Sequence, residues 1–339
     1  MDWEPPTDWP RIETVESHTG GEPLRVIVDG FPEIEGDTML EKRRDARENH
    51  DHLRTALMWE PRGHADMYGA ILTDPVTADG DIGVLFTHNE GYSTMCGHGV
   101  IALGVVLPEL DIVEVGSENP RIEMDTPAGR VTARPQDDGE RIQRVAFENV
   151  PSYVVSLDET TAVPGYGSVT YDVAFGGAYY AYCDAQELGL SLGRTDEHEL
   201  VEIGRRMKAA VAEDISLVHP ADEDLGFLYG IIISDEPEAG GDIRNVCLFA
   251  DGEIDRSPTG TGVSGHLAIQ HVKGDLEPGE TLVVESLVGS TFTGTIRDTT
   301  EFEGDDAVIP EVEGEAHITG TSSFTIDPAD PFREGFVLR

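Results

Sequence analysis

The stretch MCGHGVIALGVVL, residues 95–107, places a cysteine at the start of a long apolar run. The preceding residues 87–94, THNEGYST, are polar and prone to turns, so Cys96 stands where a loop is predicted to become a buried helix. The first amides of a helix lack partners within it, and the helix dipole adds about half a positive charge there. A thiol in this position is predicted to favour the thiolate, and the same amides can hold a carboxylate.

A second stretch of the same design, DRSPTGTG at residues 255–262, leads into another apolar run at residues 263–272. Its middle position is Thr259. Around the two loops, alternating apolar residues predict many strands, among them one at residues 112–115. Charged stretches with apolar positions at helical spacing predict a long, largely exposed helix over residues 38–59 and another over 197–211. Each half of the chain therefore holds several strands and one central apolar helix opened by a glycine-rich loop.

The composition is strongly acidic. The 339 residues include 66 Asp and Glu against 23 Lys and Arg, a net charge of -43 spread along the whole chain, and only three lysines. At about 1 M salt the Debye length falls to roughly 3 Å, which screens the self-repulsion of such a charge. The pattern favours adaptation to high salt over an ordinary acidic protein, and it excludes nucleic acid as a partner.

Three cysteines, Cys96, Cys183 and Cys247, cannot form a fully paired disulfide framework, and their spacing fits no zinc site. Cys183 and Cys247 lie in apolar, strand-like runs and are predicted to be inert core thiols. No run approaches the roughly 20 apolar residues of a membrane span, and the N-terminus lacks the features of a signal peptide. We therefore expect a cytoplasmic protein that does not bind membranes.

Several segments, taken together, resemble the proline racemase family in the same order along the chain. Besides the two loops, they are SHTGGEP (17–23), EPRGHADMYGA (60–70), DTPAG (125–129) and NVPS (149–152). The resemblance covers essentially the whole chain after the first ten residues. It implies a mixed α/β (α+β) fold like that of diaminopimelate epimerase, with two pseudo-symmetric domains, each a curved sheet around a central helix, and an imino-acid substrate between them. It also implies a homodimer.

The resemblance implies domain limits and site residues as well. Residues 1–155 with 318–339 are expected to form the N-terminal domain, which carries Cys96, and residues 156–317 the C-terminal domain, which carries Asp255 and Thr259. Cys96 and Thr259 match the two catalytic positions. The positions that match substrate-binding residues are Gly97, His98, Gly260 and Thr261 for the carboxylate, Asp255 for the ring ammonium, and Tyr68 and Phe249 for the ring.

Racemases and epimerases of this family have a cysteine at both catalytic positions, and Thr259 departs from that pattern. A thiol ionises near pH 8.5 and exchanges protons readily, whereas an alcohol is too weak an acid to do so. One-sided removal of the α-proton by Cys96 would survive this change. If the β-carbon carries a hydroxyl, the carbanion can lose it as water, and the enamine then becomes a cyclic imine.

The leading hypothesis is therefore cofactor-independent dehydration of trans-3-hydroxy-L-proline to 1-pyrroline-2-carboxylate, the pattern that threonine at this position resembles within the family. His98 and Thr259 both remain candidates for the group that protonates the departing hydroxyl. The alternatives are a proline racemase or hydroxyproline 2-epimerase and a catalytically inactive amino-acid-binding relative. No nucleotide fingerprint, metal cluster or lysine suited to pyridoxal phosphate is apparent, so neither a cofactor nor a metal is expected.

Overall fold

The computed structural model describes residues 4–116, 119–137, 139 and 141–338. In this part of the chain the α-helices are α1 (Met39–Asn49), α2 (Asp51–Met58), α3 (Gly97–Glu109), α4 (Glu197–Asp214) and α5 (Gly260–Lys273). The strands are β1 (Arg11–Thr19), β2 (Glu22–Asp29), β3 (Tyr68–Thr73), β4 (Ile82–His88), β5 (Gly91–Tyr92), β6 (Ile122–Thr126), β7 (Gly129–Asp137), β8 (Ile142–Glu148), β9 (Ser152–Val163), β10 (Gly167–Phe175), β11 (Tyr179–Asp184), β12 (Leu228–Asp235), β13 (Ile243–Phe249), β14 (Glu253–Asp255), β15 (Thr281–Glu285), β16 (Thr291–Phe302) and β17 (Asp305–Thr325).

The order of strands around each central helix is repeated in the two halves of the chain. β4 pairs antiparallel with β5, the chain forms α3, and β6 then returns parallel to β4. In the same way β13 pairs antiparallel with β14, the chain forms α5, and β15 returns parallel to β13. The remaining helices lie in the connections between parallel strands: α1 and α2 connect β2 to β3, and α4 lies between β11 and β12. The repeat predicted from the apolar pattern is thus a repeat of strand topology.

Both central helices are enclosed by strands. α3 packs against β1, β2, β7, β8 and β17, whereas α5 packs against β9, β10, β16 and β17. All residues of α3 from Gly97 to Leu107 and all residues of α5 from Gly260 to Ile269 are buried. A helix that is apolar on every side is stable in water only in such surroundings. The sequence-based prediction of two buried central helices agrees with this arrangement.

The N-termini of α3 and α5 meet in direct backbone contact. A Cβ atom added to Gly97 would lie 2.6 Å from the Cα of Gly260, and one added to Gly260 would lie 2.8 Å from the Cα of Gly97. No side chain larger than hydrogen fits at either position without moving one helix. The glycines therefore allow the two loops that open the helices to share one site.

Two predictions about local structure are wrong. Residues 38–59 form α1 and α2 rather than one exposed helix, because the chain bends at His50 (φ -126, ψ 6) and turns most of α2 into the core. Residues 112–115 form no strand. The amides of Ile112 and Val113 donate to the carbonyl of Leu107, so these residues cap the end of α3 instead of joining a ladder.

The predicted domain limits fall inside two continuous strands. β9 crosses the limit at residue 155, and β17 crosses the one at residue 317. The last part of β17 pairs with β1, from Ile318 opposite Ser17 to Thr325 opposite Arg11. On this pairing we propose that residues 318–339 complete the N-terminal domain. Residues 1–3, 117, 118, 138, 140 and 339 of the predicted ranges lie outside the described part. Among the described helices, none has the length and apolar character needed to cross a membrane.

The packing of α3 generates a stability prediction. A Cβ at Gly104 would lie 2.6 Å from Val145 Cγ1, whereas one at Gly320 in β17 would meet open space. Gly104→Ala should lower the free energy of unfolding by about 1–3 kcal/mol through overpacking, despite a gain in helix propensity of up to ~1 kcal/mol. Gly320→Ala, the matched control, should stay within about 0.5 kcal/mol. Denaturant titration measures both, and equal stabilities would contradict the close packing.

Candidate active site

Cys96 is the residue at which α3 begins. Its backbone is extended (φ -144, ψ 110), and its Sγ accepts a hydrogen bond from the amide of Gly99 at 3.3 Å. The thiol therefore occupies the place of an N-cap side chain and satisfies one of the amides that the helix leaves without a partner. Cys96 is only 4% exposed, so the sulfur faces the interior of the protein.

Thr259 holds the equivalent position before α5 but has a different geometry. Its φ of +63 lies in the left-handed region, a conformation that costs a β-branched residue on the order of 1–3 kcal/mol. Its hydroxyl does not cap the helix. It donates instead to Asp255 Oδ2 at 2.7 Å, while the amide of Ser257 donates to Asp255 Oδ1 at 2.7 Å. Hydrogen bonds within the loop thus fix the carboxylate and the hydroxyl relative to each other.

His98 lies between the two loops. Its Nδ1 is 3.2 Å from Cys96 Sγ and 3.9 Å from Asp255 Oδ2. Burial lowers the pKa of His98 below its ordinary value, and the neighbouring Asp255 charge only partly offsets this effect. The imidazole is therefore neutral near pH 7 and in contact with the thiol, which allows it to accept the thiol proton.

An aromatic wall closes one side of the site. The Tyr68 hydroxyl donates to Ser93 Oγ at 2.8 Å and lies 3.0 Å from the Tyr229 hydroxyl. The Tyr68 ring meets the His98 ring edge to face at 4.7 Å between centroids, and Phe249 stacks on Tyr229 at 5.5 Å. The wall gives the site an apolar surface on which a small saturated ring can pack.

These groups enclose one small cavity of about 10 Å³. The structure brings all nine sequence-predicted residues to its lining: Tyr68, Cys96, Gly97, His98, Phe249, Asp255, Thr259, Gly260 and Thr261. Four further residues line it for which the sequence predicted no role in the site: Met95, Tyr180, Tyr229 and Cys247. A volume of this size holds about one water molecule.

The prediction that Cys96 favours the thiolate is wrong for this cavity. Burial raises the pKa of the Cys96 thiol well above its ordinary value. The Gly99 amide favours the thiolate, as expected for a helix N-terminus, but the negative charge of Asp255 opposes ionisation. Because desolvation outweighs the helix amide, Cys96 is a neutral thiol in this closed cavity and needs a partner that accepts its proton.

Cys183 and Cys247 are both buried, as predicted, but their surroundings differ. Cys183 lies in a separate apolar cluster with its Sγ 3.4 Å from Met207 Sδ. Cys247 lines the cavity beside Cys96 and pairs across the β13–β14 hairpin with Asp255. The three-residue turn at residues 250–252 places 247 and 255 directly opposite each other. Burial raises the pKa of Cys247 as well.

Two buried carboxyl groups support the site from behind. Glu22 Oε2 accepts a hydrogen bond from the amide of Arg256 at 2.7 Å, which ties β2 to the Thr259 loop. Burial and the nearby Asp255 raise the pKa of Glu22 well above its ordinary value. Glu253 Oε1 lies 3.2 Å from His88 Nδ1 behind the aromatic wall. In the described part of the chain, no group of three or more His, Cys, Asp or Glu residues is arranged to hold a metal.

Residues 14–337 match the protein family described as proline racemase. The chain is 45% identical over 341 residues to the trans-3-hydroxy-L-proline dehydratase of Colwellia psychrerythraea, covering 99% of this chain and 96% of the relative. It is 44% identical over 329 residues to the 3-hydroxyproline 2-epimerase of Burkholderia multivorans, covering 97% and 98% respectively.

Among solved structures, a hydroxyproline epimerase from Agrobacterium vitis with bound trans-4-hydroxy-L-proline has a TM-score of 0.93 and 29% identity. That likeness covers 98% of this chain and 96% of the other. The fold class predicted from the sequence is confirmed by it. Because the family match extends over nearly the whole chain, the protein belongs to the proline racemase family.

Proposed function

We propose that the protein is a hydro-lyase that converts trans-3-hydroxy-L-proline to 1-pyrroline-2-carboxylate without a cofactor. The observation that carries the proposal is the unequal pair at the two facing helix N-termini, a thiol at Cys96 and an alcohol at Thr259. The name of the Colwellia psychrerythraea relative supports it. The name of the Burkholderia multivorans relative keeps hydroxyproline 2-epimerase as the alternative.

The substrate carboxylate would bind between the two helices. Gly97 and His98 open α3, and Gly260 and Thr261 open α5, so both sets of partnerless amides and both positive dipole ends converge on the same point. Such an arrangement suits a single small anion. A neutral analogue that lacks the carboxylate would leave these amides unsatisfied.

The ring would lie between Asp255 and the aromatic wall. The Asp255 carboxylate is fixed by Ser257 and Thr259 and can pair with the ring ammonium. Tyr68 and Phe249, with centroids 5.8 Å apart, offer the apolar surface for the pyrrolidine carbons. These contacts orient the α-carbon without taking part in bond breaking.

Cys96 and His98 would carry the proton transfers. The thiol gives its proton to the neutral imidazole, and the resulting thiolate removes the α-proton of the substrate. The bond from the β-carbon to the hydroxyl then breaks, and the hydroxyl leaves as water with the proton of His98. Burial makes the protonated imidazole a strong acid, whereas the Thr259 proton is directed at Asp255, so we assign the donor role to His98. The enamine product tautomerises to the cyclic imine, and both side chains return to their starting states.

We also propose that the enzyme acts as a cytoplasmic homodimer in concentrated salt. The net charge of -43 and the presence of only three lysines support the adaptation to salt. The dimer and its location rest on the resemblance to the family alone.

The first prediction of this mechanism concerns the base. Cys96→Ser should lower kcat for imine formation from trans-3-hydroxy-L-proline by about 10²–10⁴-fold, because an alcohol cannot replace the thiolate. Cys183→Ala is the matched control, since this cysteine lies in another cluster and the variant should keep near wild-type kcat. o-Aminobenzaldehyde detects the imine. Full activity in Cys96→Ser would contradict the mechanism.

The second prediction concerns the missing second thiol. Thr259→Cys should introduce inversion at the α-carbon, seen as deuterium uptake from heavy water together with a change in optical rotation, at the expense of dehydration. Thr259→Ser keeps the hydroxyl and should remain a dehydratase. If the wild-type protein inverts the α-carbon and forms no imine, the epimerase alternative is correct instead.

The third prediction concerns pH. The reactive pair carries one proton, so kcat/KM should fall below the lowered pKa of His98 and above the raised pKa of Cys96. A plateau from about pH 6.5 to 8.5 is the expected result, since these are the ordinary values that the two groups move away from. In His98→Gln the thiol must lose its proton to solvent, and kcat/KM should rise with pH across this range. If kcat/KM of the wild-type protein instead rises tenfold per pH unit between about pH 6.5 and 8.5, the proposed role of His98 is contradicted.

A further inference from the structure

A pocket between the two halves of the chain gathers cationic side chains in a protein of net charge -43. Arg43, Arg47 and Arg54 reach it from α1 and α2, and Lys208 reaches it from α4. We call it the cationic pocket; its remaining lining residues are Asp51, His88, Glu90, Gly91, Tyr92, Phe227, Tyr229 and Ala250. Its volume is about 320 Å³, far larger than that of the catalytic cavity.

Most of this positive charge is not neutralised. Arg54 is paired, since it binds both oxygens of Asp51. Arg43, Arg47 and Lys208 form no ion pair with any described residue. The guanidinium of Arg43 donates to the carbonyl of Tyr92 at 2.7 Å, and the Lys208 ammonium donates to the carbonyl of Ala250 at 2.6 Å.

Arg43 and Lys208 are partly buried, in surroundings that disfavour isolated charge, whereas Arg47 is exposed. Burial lowers the pKa of Arg43 and that of Lys208, and the like charge of Arg47 lowers the pKa of Arg43 further. The charges of Asp224 near Arg43, and of Asp251 and Glu253 near Lys208, offset this effect only in part. A half-buried cation without a counter-ion gains stability when an anion binds. Glu90 is exposed and is the remaining carboxylate of the described lining, so the pocket keeps an excess of positive charge.

Tyr229 connects the cationic pocket with the catalytic cavity, because it lines both. Its hydroxyl lies 3.0 Å from the Tyr68 hydroxyl, and its ring stacks on Phe249. An imino acid with a five-membered ring is much larger than the one water that about 10 Å³ can hold. The substrate must therefore displace wall side chains on its way in, and Tyr229 is the wall on this side.

We propose that the cationic pocket is a carboxylate-binding vestibule, which receives the imino-acid substrate before Tyr229 moves and admits it to the catalytic cavity. This inference rests on the proposed function for the identity of the ligand. A carboxylate in direct contact with these cations would stay bound in concentrated salt, because pairs in a partly buried pocket are screened much less than charges on the surface.

Another large pocket, of about 460 Å³, is lined by residues 18–21 together with residues 288–317, and it lacks this charge. Its cation, Arg144, donates to both Glu313, at 3.1 Å, and Glu315, at 2.8 Å, so the carboxylates neutralise it. Two carboxylates in the wall repel a substrate carboxylate. The difference in charge, rather than in volume, distinguishes the cationic pocket as the entrance.

The kinetic test removes two of the unpaired charges without touching the catalytic cavity. Arg47→Gln/Lys208→Gln should lower kcat/KM for trans-3-hydroxy-L-proline by about tenfold with kcat within about twofold of wild type. Arg206→Gln/Arg297→Gln is the matched control, since it changes the net charge equally at ion-paired arginines outside the pocket and should leave both constants near wild type. With Arg47 intact, Lys208→Gln alone should lower kcat/KM. Lys208→Arg, which keeps the positive charge, should have kcat/KM close to that of wild type.

The binding test needs no turnover and uses chloride as the probe. Chloride NMR lines should be broadened by the Cys96→Ser protein, and trans-3-hydroxy-L-proline should narrow them by displacing the anion. The broadening should fall to a small remainder, from the anion site between α3 and α5, when Arg47→Gln/Lys208→Gln is added, and it should be unchanged with the control pair. Equal broadening in both backgrounds would overturn the proposal. Loss of broadening with unchanged kcat/KM would also overturn it, because the anion site would then lie off the substrate path.

The two tests separate the inference from the proposed function. If wild-type protein forms no imine, the proposed function fails, while displacement of chloride by the imino acid still decides whether the pocket binds carboxylates. If the imine forms but neither kcat/KM nor chloride broadening depends on the pocket, the vestibule is wrong and the dehydratase stands. The circular dichroism spectrum of each variant should match that of the wild-type protein. If the spectrum of Arg47→Gln/Lys208→Gln does not match, Arg47→Lys/Lys208→Gln takes its place in both tests.

Discussion

The structure depends on the meeting of two helix N-termini at Gly97 and Gly260, backbone against backbone. Both ends carry partial positive charge, and like charges in contact repel each other unless an anion lies nearby. Asp255 provides a fixed negative charge there, and His98 bridges it to Cys96. Interactions of this kind contribute about 0.3–2 kcal/mol each. The repeated strand order makes this contact possible, because it brings α3 and α5 to the same point from opposite halves of the chain.

The loop motifs made the site predictable because each is local in sequence and each opens a buried helix. Eight of the nine predicted residues lie in these motifs or in the family-like segments, and together with Phe249 they line one cavity. Cys247 and Tyr229 escaped prediction because alternation along a strand reveals which residues share a face, not what that face meets. The rise in the pKa of Cys96 could not be predicted either, since it comes from burial by residues distant in sequence.

The two halves repeat a topology but not a local conformation. Cys96 is extended and accepts the amide of its own helix, whereas Thr259 has a positive φ and turns its hydroxyl to Asp255. The side chain at the second position therefore has fewer ways to adjust than the one at the first. Under the proposed function, a change of residue there would alter the chemistry within a nearly fixed geometry, so one scaffold could support both inversion and elimination.

The continuity of β9 and β17 has a mechanical consequence. The 21 residues of β17 pair with β16, β8, β9 and β1 in turn, so a single strand is hydrogen-bonded to both halves. The halves are joined by a twisted ribbon rather than by flexible linkers, and neither could be excised as an autonomous unit without leaving a sheet edge uncovered. Because both strands are continuous, we expect any widening of the space between the halves to deform these strands rather than to occur at a flexible linker.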